Sequence, residues 1–371
     1  MNISPPRPTL PAYAGPNVRG IIPALLMPRR TTLPTWMPPP VHGASQVVLL
    51  VLDGLGWEQL QAHRHLCPTL TSMSGGPITT VAPSTTATAL TSITTGLTPG
   101  EHGLIGYRFD VGGEVLNVLR WNTPSGDARR NHEPSRVQSF EPFLGEPVPV
   151  VSKIELEGSG FTTAHLRGSR PVGWRTMSNL PVIVGQLLAA GERVVYAYYD
   201  GIDKVAHERG FGPFYDAEIR AADRLVADLV EVLPPGAALL VTADHGQVSI
   251  GPNLLPPAPE VLRLTRSSSG EGRFRWLHAK PGAAVDLLEA ATAAHSDVAW
   301  VVSRAQTIEE GWFGPVVSPP IAARLGDVAL VPFAPVSFDD PADSGPYPLV
   351  CRHGSLTSAE MFVPLLGARA D

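Results

Sequence analysis

The sequence has few of the features that mark several common protein classes. Cysteine occurs only at Cys67 and Cys351, which is too few for a disulfide framework and lacks the paired spacing of a thiolate zinc site. No apolar run is long enough to span a membrane, and the proline-rich start has neither the basic nor the apolar region of a signal peptide. We therefore expect a cytoplasmic protein with no membrane partner.

Positive charge is also scarce. The chain has 28 Lys and Arg against 34 Asp and Glu, a formal net charge of −6, so a basic surface for nucleic-acid phosphates is not expected. The segment from Asp53 to Gly56 has two glycines of a dinucleotide-binding turn but lacks the third, and no Gly-Lys-Ser/Thr phosphate loop occurs. Stable nucleic-acid binding is therefore disfavoured, although a nucleotide remains compatible as a small substrate.

Three short runs of β-branched residues and leucine are typical of strands buried on both faces. They span residues 46–52, 193–199 and 238–243. Residues 213–233 carry apolar side chains at helical spacing. This alternation predicts an α/β fold with one mostly parallel central sheet and helices on both of its faces.

The chain is expected to form one large domain, because no internal repeat and no long linker is found. Residues 1–42 form a proline-rich leader, and residues 43–371 the domain. Proline, glycine and serine cluster near 256–280 and 306–348. We expect these two segments to be insertions or a small cap.

Acidic residues follow the predicted strands. Asp53, Asp200, Asp203, Asp244 and His245 come directly after a strand or within one turn of it, and parallel strands end at one edge of a sheet. A single aspartate in such a place is more often a helix cap. So many acids together would repel one another unless cations neutralise them, which predicts a metal site.

Two further histidines are candidate ligands. His207 follows Asp203 by four residues, so a helix would place both side chains on one face. Carboxylate and imidazole suit zinc, and also manganese or iron, although such a pair alone is more often a surface hydrogen bond. His353 precedes a glycine near the end of the chain, whereas His102 before Gly103 is interpreted as a turn residue.

A helix rich in threonine is predicted to begin at Thr85 or Thr86 and to end at Gly96. A hydroxyl in its first turn would face free N–H groups, which favour a phosphate. The alternative is an ordinary helix cap followed by small residues that pack on the sheet. Because helix boundaries are uncertain by one or two residues, the hydroxyls of Ser84, Thr85 and Thr88 remain alternatives to that of Thr86.

In chain order, these motifs resemble the alkaline phosphatase superfamily, and most closely its nucleotide pyrophosphatase/phosphodiesterase branch. In that family the nucleophilic threonine lies ten residues before the glycine of a Thr-Gly-Leu-x-Pro-x-x-His-Gly segment. Residues 95–103 match that segment, and counting back from Gly96 gives Thr86. The resemblance extends from about residue 46 to 365 and implies a metal-dependent phosphoric ester hydrolase.

The resemblance also implies two divalent metal ions, with zinc expected and manganese or iron as alternatives. One metal would lie on Asp203, His207 and His353, and the other on Asp53, Thr86, Asp244 and His245. The expected reaction is attack by Thr86 on a small phosphate ester, followed by hydrolysis of the phosphothreonine. The sequence carries no signal for the oligomeric state.

One position departs from the family. Where the phosphodiesterases carry an asparagine that holds a phosphate oxygen, this chain has Tyr107, followed by Arg108, so we expect these two residues to bind substrate. The departure leaves a phosphomonoesterase or phosphonate hydrolase with the same metals as the alternative. A non-catalytic metal-binding protein is the alternative from another class.

Overall fold

The computed structural model describes residues 6–27, 32–341 and 348–370. Parts of the predicted leader (1–5 and 28–31) and of the second predicted insertion (342–347) lie outside the described residues. The strands are β1 (Val47–Leu52), β2 (Ser74–Thr79), β3 (Arg108–Val111), β4 (Glu114–Asn117), β5 (Asn122–Thr123), β6 (Gly126–Asp127), β7 (Pro149–Lys153), β8 (Arg170–Trp174), β9 (Val194–Tyr199), β10 (Ala238–Thr242), β11 (Val248–Ser249), β12 (Leu254–Leu255), β13 (Thr265–Glu271), β14 (Phe274–Ala279), β15 (Ala299–Ser303), β16 (Val328–Pro332), β17 (Ser337–Phe338), β18 (Cys351–Arg352) and β19 (Phe362–Arg369).

Helices lie between most of these strands. They are α1 (Ile21–Leu26), α2 (Trp57–Ala62), α3 (Pro68–Ser72), α4 (Thr86–Thr95), α5 (Pro99–His102), α6 (Pro134–Val137), α7 (Gly160–Leu166), α8 (Asn179–Ala189), α9 (Gly201–Arg209), α10 (Pro213–Glu231), α11 (Pro259–Leu264), α12 (Ala284–His295), α13 (Arg304–Glu309), α14 (Pro319–Ala322) and α15 (Ser358–Met361). Within the described residues, no helix is both long and apolar enough to cross a membrane.

The central sheet has the strand order β2-β19-β10-β1-β9-β7-β8. The pairs from β10 through β8 are parallel, whereas β19 runs antiparallel to both β10 and β2. This confirms the predicted α/β fold with a mostly parallel sheet. The antiparallel β19 was not predicted.

The three predicted strands form the middle of this sheet as β1, β9 and β10. Every residue in them is buried, because both faces of the sheet are covered. The uninterrupted apolar runs are therefore explained by burial on two sides. The carboxyl ends of all three strands lie at the same edge of the sheet, since they are parallel.

A second sheet, which we call the cap sheet, has the order β13-β14-β16-β15. It draws strands from both predicted insertions and from β15 between them. It covers its own apolar cluster, formed by Val261, Leu277, Leu287, Ala291, Ala299, Val328, Leu330 and Phe338. The two segments of unusual composition thus belong to one folded unit.

The described part of the proline-rich leader packs against the helix α4. Ile21 and Ile22 are fully buried, and the Arg19 guanidinium donates to the carbonyl of Gly96 at the end of α4 (3.1 Å). The Asn17 amide donates to the Thr80 carbonyl (2.8 Å), ahead of α4. The leader therefore contacts the C-terminal end of α4 and the chain that leaves β2 ahead of it.

Candidate metal centre and active site

The acidic residues predicted at the strand ends lie at one edge of the central sheet. Asp53 follows β1, and its N–H continues the ladder by donating to the Tyr199 carbonyl (2.9 Å). Asp244 and His245 follow β10, and Asp203 lies in the first turn of α9, which begins after β9. The parallel register thus brings together residues that are far apart in the chain.

Two clusters of donor atoms form at this edge. In each, one ligand atom per residue lies within 4.8 Å of the others. The clusters are Asp53, Asp244 and His245, and Asp203, His245 and His353. His207 adjoins the second, with its Nε2 at 3.2 Å from Asp203 Oδ1. His245, which the resemblance assigns to one metal, reaches both clusters.

All three histidines are oriented by main-chain carbonyl groups. Their Nδ1 atoms lie at hydrogen-bonding distance from one carbonyl each. The acceptors are Cys351 O for His207 (2.7 Å), Ser84 O for His353 (3.0 Å) and Gly246 O for His245 (3.1 Å). This assigns the proton to Nδ1 and leaves each Nε2 lone pair for a metal, the usual arrangement around metal-binding histidines.

The two buried aspartates each have one oxygen that accepts a hydrogen bond and one that does not. Tyr198 donates its hydroxyl to Asp53 Oδ2, and Asp244 Oδ1 accepts the N–H groups of Gly54 and His245, both at 3.1 Å. Asp53 Oδ1 and Asp244 Oδ2 have no hydrogen bond within the described residues. Buried carboxylate oxygens without a donor are costly unless a cation binds them.

The ionisation of these groups is strongly perturbed. Burial, then the carboxylates of Asp244 and Asp203, raise the pKa of Asp53 well above its ordinary value. Burial also raises the pKa of Asp244. Burial, then His245 and His207, lower the pKa of His353 well below its ordinary value. The set of carboxylate oxygens and neutral imidazoles fits Zn²⁺, Mn²⁺ or iron.

The turn after β1 requires a glycine. Gly54 has a φ of +75°, and a Cβ there would lie 2.9 Å from Asp203 Cβ and 2.5 Å from Gln247 Nε2. Gln247 Nε2 in turn donates to Asp203 Oδ1 (2.8 Å). The missing side chain at Gly54 therefore lets α9 bring Asp203 close to the end of β1.

The structure distinguishes the Thr86 hydroxyl from the alternative hydroxyls predicted from the sequence. Helix α4 begins at Thr86, with Thr85 as its N-cap, and Thr86 Oγ1 lies 3.1 Å from His245 Nε2. Ser84 Oγ instead donates to the Ser355 carbonyl (2.6 Å), and Thr88 is fully buried. Thr86 is thus the hydroxyl of this group that lies beside the donor clusters.

The two residues predicted to bind substrate have different surroundings. The Tyr107 side chain is partly buried and packs against the apolar core. The Arg108 guanidinium is buried and forms an ion pair with Asp340 (Nη1 to Oδ2, 2.9 Å). Asp340 Oδ2 also accepts from Arg275 (3.0 Å) and Ser268 (3.0 Å), so Arg108 is held in a network with cap residues.

Other predicted residues lie outside the donor clusters. Asp200, at the same sheet edge, forms ion pairs with Lys153 and with Lys204 (2.6 Å for the latter), so lysines neutralise it. His102 Nδ1 accepts the N–H of Leu104 (3.1 Å), and burial lowers its pKa to about 3. This agrees with its interpretation as a turn residue.

Sequence reasoning missed several residues that orient the site. Tyr198 and Gln247 hold Asp53 and Asp203, and Lys153 neutralises Asp200. Tyr198 is paired with Val51 in the parallel ladder. That register places its hydroxyl beside the end of β1, but no local sequence pattern reports the register between parallel strands.

The comparisons with known proteins agree with this geometry. The model of the type I phosphodiesterase / nucleotide pyrophosphatase family matches residues 47–332. Murine ectonucleotide pyrophosphatase / phosphodiesterase 5 has a similar fold, with a TM-score of 0.64 and 14% identity over 86% of this chain and 87% of that chain. The human protein gives a TM-score of 0.64 and 15% identity over 86% and 87%.

A second fold relative is phosphonoacetate hydrolase from Sinorhizobium meliloti in complex with phosphonoformate. Its TM-score is 0.64 at 17% identity over 89% of this chain and 91% of that chain. No curated protein sequence matches the chain. The family match nevertheless covers well over half of the chain and contains Asp53, Thr86 and Asp244. The chain therefore belongs to the type I phosphodiesterase / nucleotide pyrophosphatase family, whose members are metal-dependent phosphoester hydrolases.

Proposed function

We propose that this protein hydrolyses phosphodiester or pyrophosphate bonds of small substrates, nucleotides among them, through a phosphothreonine on Thr86. The position of the Thr86 hydroxyl carries the proposal. It lies at the first residue of α4, with Oγ1 3.1 Å from His245 Nε2. An inactive threonine-to-alanine variant of the murine relative was solved in complex with AMP, which supports both a threonine nucleophile and a nucleotide substrate here.

The assignment of metal-binding residues comes from the family resemblance, and the two donor clusters, which share His245, support it. One cation would be held by Asp203, His207 and His353, and the other by Asp53, Asp244, His245 and Thr86. When bound, two divalent cations would offset the charge of the attacking and leaving oxygens and supply hydroxide from water. We propose zinc, because imidazole nitrogen and carboxylate oxygen are its common ligands besides thiolate.

The chain's own groups perform the remaining steps. Thr86 gives up its hydroxyl proton to solvent, and the bond from its Oγ1 to phosphorus forms as the bond from phosphorus to the leaving oxygen breaks; the leaving oxygen takes up a proton from water. The free N–H groups of the first turn of α4, and the positive end of its dipole, face the phosphoryl oxygens. Water then cleaves the phosphothreonine and restores the Thr86 hydroxyl.

The residues around the substrate's phosphate group would determine the substrate preference. Because Arg108 already pairs with Asp340, we assign the contact with a non-bridging phosphate oxygen to the phenol of Tyr107, and we assign Arg108 to bracing the pocket wall. A tyrosine in this position, together with the fold shared with phosphonoacetate hydrolase, supports phosphomonoester or phosphonate hydrolysis as the second candidate function.

The proposal is tested by assaying zinc-loaded protein side by side with bis-p-nitrophenyl phosphate, p-nitrophenyl phosphate and phosphonoacetate. Diester turnover should exceed the other two and should vanish after chelation. Thr86→Ala should lower kcat by more than ~10³-fold, as removal of a nucleophile does. Thr86→Ser, which keeps a hydroxyl, is the matched control and should retain measurable turnover.

The outcomes separate the candidate functions. A preference for the monoester or for phosphonoacetate would favour the second candidate. Diester turnover that survives in Thr86→Ala would exclude Thr86 as the nucleophile. Zinc binding without turnover of any of the three substrates would favour the non-catalytic alternative.

A further inference from the structure

Lysine is rare in this chain, in which nearly all of the 28 Lys and Arg residues are arginine. The three lysines are Lys153, Lys204 and Lys280. Two of them pair with one carboxylate, since Asp200 binds Lys153 through Oδ1 and Lys204 through Oδ2 (2.6 Å). Arginine is the usual residue for a buried ion pair, because its planar guanidinium matches a carboxylate. Two lysines on one buried carboxylate therefore indicate a use for two compact ammonium groups.

These lysines lie at the same edge of the central sheet as the donor clusters. Asp53 and Asp200 directly follow the paired ends of β1 and β9, so their backbones are one strand spacing apart, about 4.8 Å. Lys153 ends β7, which pairs with β9 on the side away from β1. Lys204 comes directly after Asp203, which belongs to a donor cluster. Both lysines therefore approach the metal centre from the β7 side of the sheet.

The two ammonium groups are fixed in position and are partly open to solvent. Lys153 Nζ lies 5.5 Å from the centre of the Trp174 ring at the end of β8, a cation–π contact. The side chains of Lys153 and Lys204 are 26% and 58% exposed, whereas that of Asp200 is 8% exposed. Two ammonium groups and one carboxylate leave one positive charge in excess. This set thus presents positive charge at the sheet edge, beside the donor clusters.

We propose that Lys153 and Lys204 form a second anion site, which binds the phosphate group next to the reacting phosphorus. The preferred substrates are then nucleoside diphosphates and related pyrophosphates rather than simple diesters. This inference rests on the proposed function, since it takes Thr86 and the metal centre as the place of attack.

The order of the strands gives the path of the substrate. Ligands of open parallel sheets bind outside the carboxyl ends of the strands. Thr86 lies beside His245, which follows β10, and the sheet continues from β10 through β1 and β9 to β7. A substrate with one phosphate at Thr86 extends across the end of β1 to bring its second phosphate to the lysines. An ammonium group suits this role, because lysine binds phosphate as a point charge.

The test measures binding to full-length, zinc-loaded protein by calorimetry. AMP supplies one phosphate, and adenosine 5′-(α,β-methylene)diphosphate supplies a second one across a bridge that resists hydrolysis. The Kd of AMP divided by that of the analogue should be about 100 in wild type, about 10 in Lys153→Met or Lys204→Met, and about 1 in the double variant, at roughly tenfold for each hydrogen bond to a charged group. Lys280→Met, which removes the remaining, exposed lysine in the cap, is the matched control and should keep the wild-type ratio.

The ratio distinguishes a binding role from a structural one. A variant that only disturbs the fold or the metal centre would raise both Kd values together and leave their ratio unchanged. An unchanged ratio in Lys204→Met, whose side chain is more than half exposed, would overturn the inference, as would a wild-type ratio near 1. Absence of ester turnover in wild type would count against the proposed function instead, because neither titration requires turnover.

Discussion

Two buried groups of charged residues differ in how completely they are paired. At the metal centre, Asp53 and Asp244 each have an oxygen without a hydrogen bond in the described part of the chain. At the junction with the cap, both oxygens of Glu360 are bonded to Arg273. Both groups are buried, so burial alone does not distinguish a binding site from a structural contact.

The difference lies in the missing positive charge. At the junction the chain supplies its own cation, and the ion pair joins the cap to the catalytic domain. At the metal centre, His245 Nε2 lies 3.5 Å from Asp53 Oδ1 and 3.4 Å from Asp244 Oδ2, and no Lys or Arg pairs with either carboxylate among the described residues. A buried acidic cluster is therefore a candidate cation site when its oxygens lack partners, not merely when its residues are acidic.

The largest effect is expected from breaking the junction. Glu360→Gln removes the charge that balances Arg273, which is fully buried. Leaving a buried guanidinium without its partner should lower the free energy of unfolding by about 3–5 kcal/mol. Urea unfolding measures this loss. Glu133→Gln, which breaks the exposed pair with Arg136, is the control and should cost less than ~1 kcal/mol; similar losses in both variants would contradict the comparison.

A smaller effect for each site is expected from removing metal. With free zinc at about 100 times the Kd of a site, each site that is filled should make the loaded protein more stable than the chelated protein by ~2.7 kcal/mol. Thermal unfolding of both forms at several pH values measures the difference.

The sign of the pH dependence follows from the raised pKa values of Asp53 and Asp244. Their contribution to the stability of the chelated protein is present below the ordinary carboxyl pKa of 3.8 and is lost as pH rises through the raised values. At constant free zinc, the difference in the free energy of unfolding between loaded and chelated protein should therefore increase from pH 5 to pH 8. A difference that does not change with pH would show that these carboxylates do not bind the metal. In Asp53→Asn the difference should change less with pH.

The smallest expected effect is a stabilisation, whereas breaking the junction destabilises the protein. Asp244→Asn keeps the oxygen that accepts the Gly54 N–H (3.1 Å) and removes one of two repelling carboxylates. The chelated variant should be more stable than chelated wild type at pH 8 by about 1 kcal/mol, the order of a one-unit pKa shift. The melting temperature of the chelated variant should be higher than that of chelated wild type. A lower melting temperature would mean that repulsion from the neighbouring carboxylates does not destabilise the protein at Asp244.

Much of the fold could be predicted because its signals are local. The uninterrupted apolar runs at β1, β9 and β10 reflect burial on both faces of the sheet, and Gly96 ends α4 with a φ of +75°. The antiparallel β19 could not be predicted. Its apolar sequence is compatible with either direction, and the direction depends on where the preceding chain enters the sheet.

The candidate metal ligands that lie close together in the chain could be predicted from residue type and spacing. Asp203 and His207 share a helix, and Asp244 and His245 are adjacent, so local sequence suffices for them. The pairing of Arg108 with Asp340 and that of Arg273 with Glu360 join residues far apart in the chain. Such contacts depend on how the cap docks, which has no local signature.

The position of β19 has a consequence for how the protein folds. Within the described residues, β2 joins the central sheet through β19, and its other strand contact is a single bridge from Thr79 to Asn17. Although β2 is made early in synthesis, it cannot be seated in the sheet until residues 362–369 have left the ribosome, and pairing over such a sequence separation is slow. This edge of the central sheet is thus completed late, so an incomplete chain exposes β2 without its partner strand.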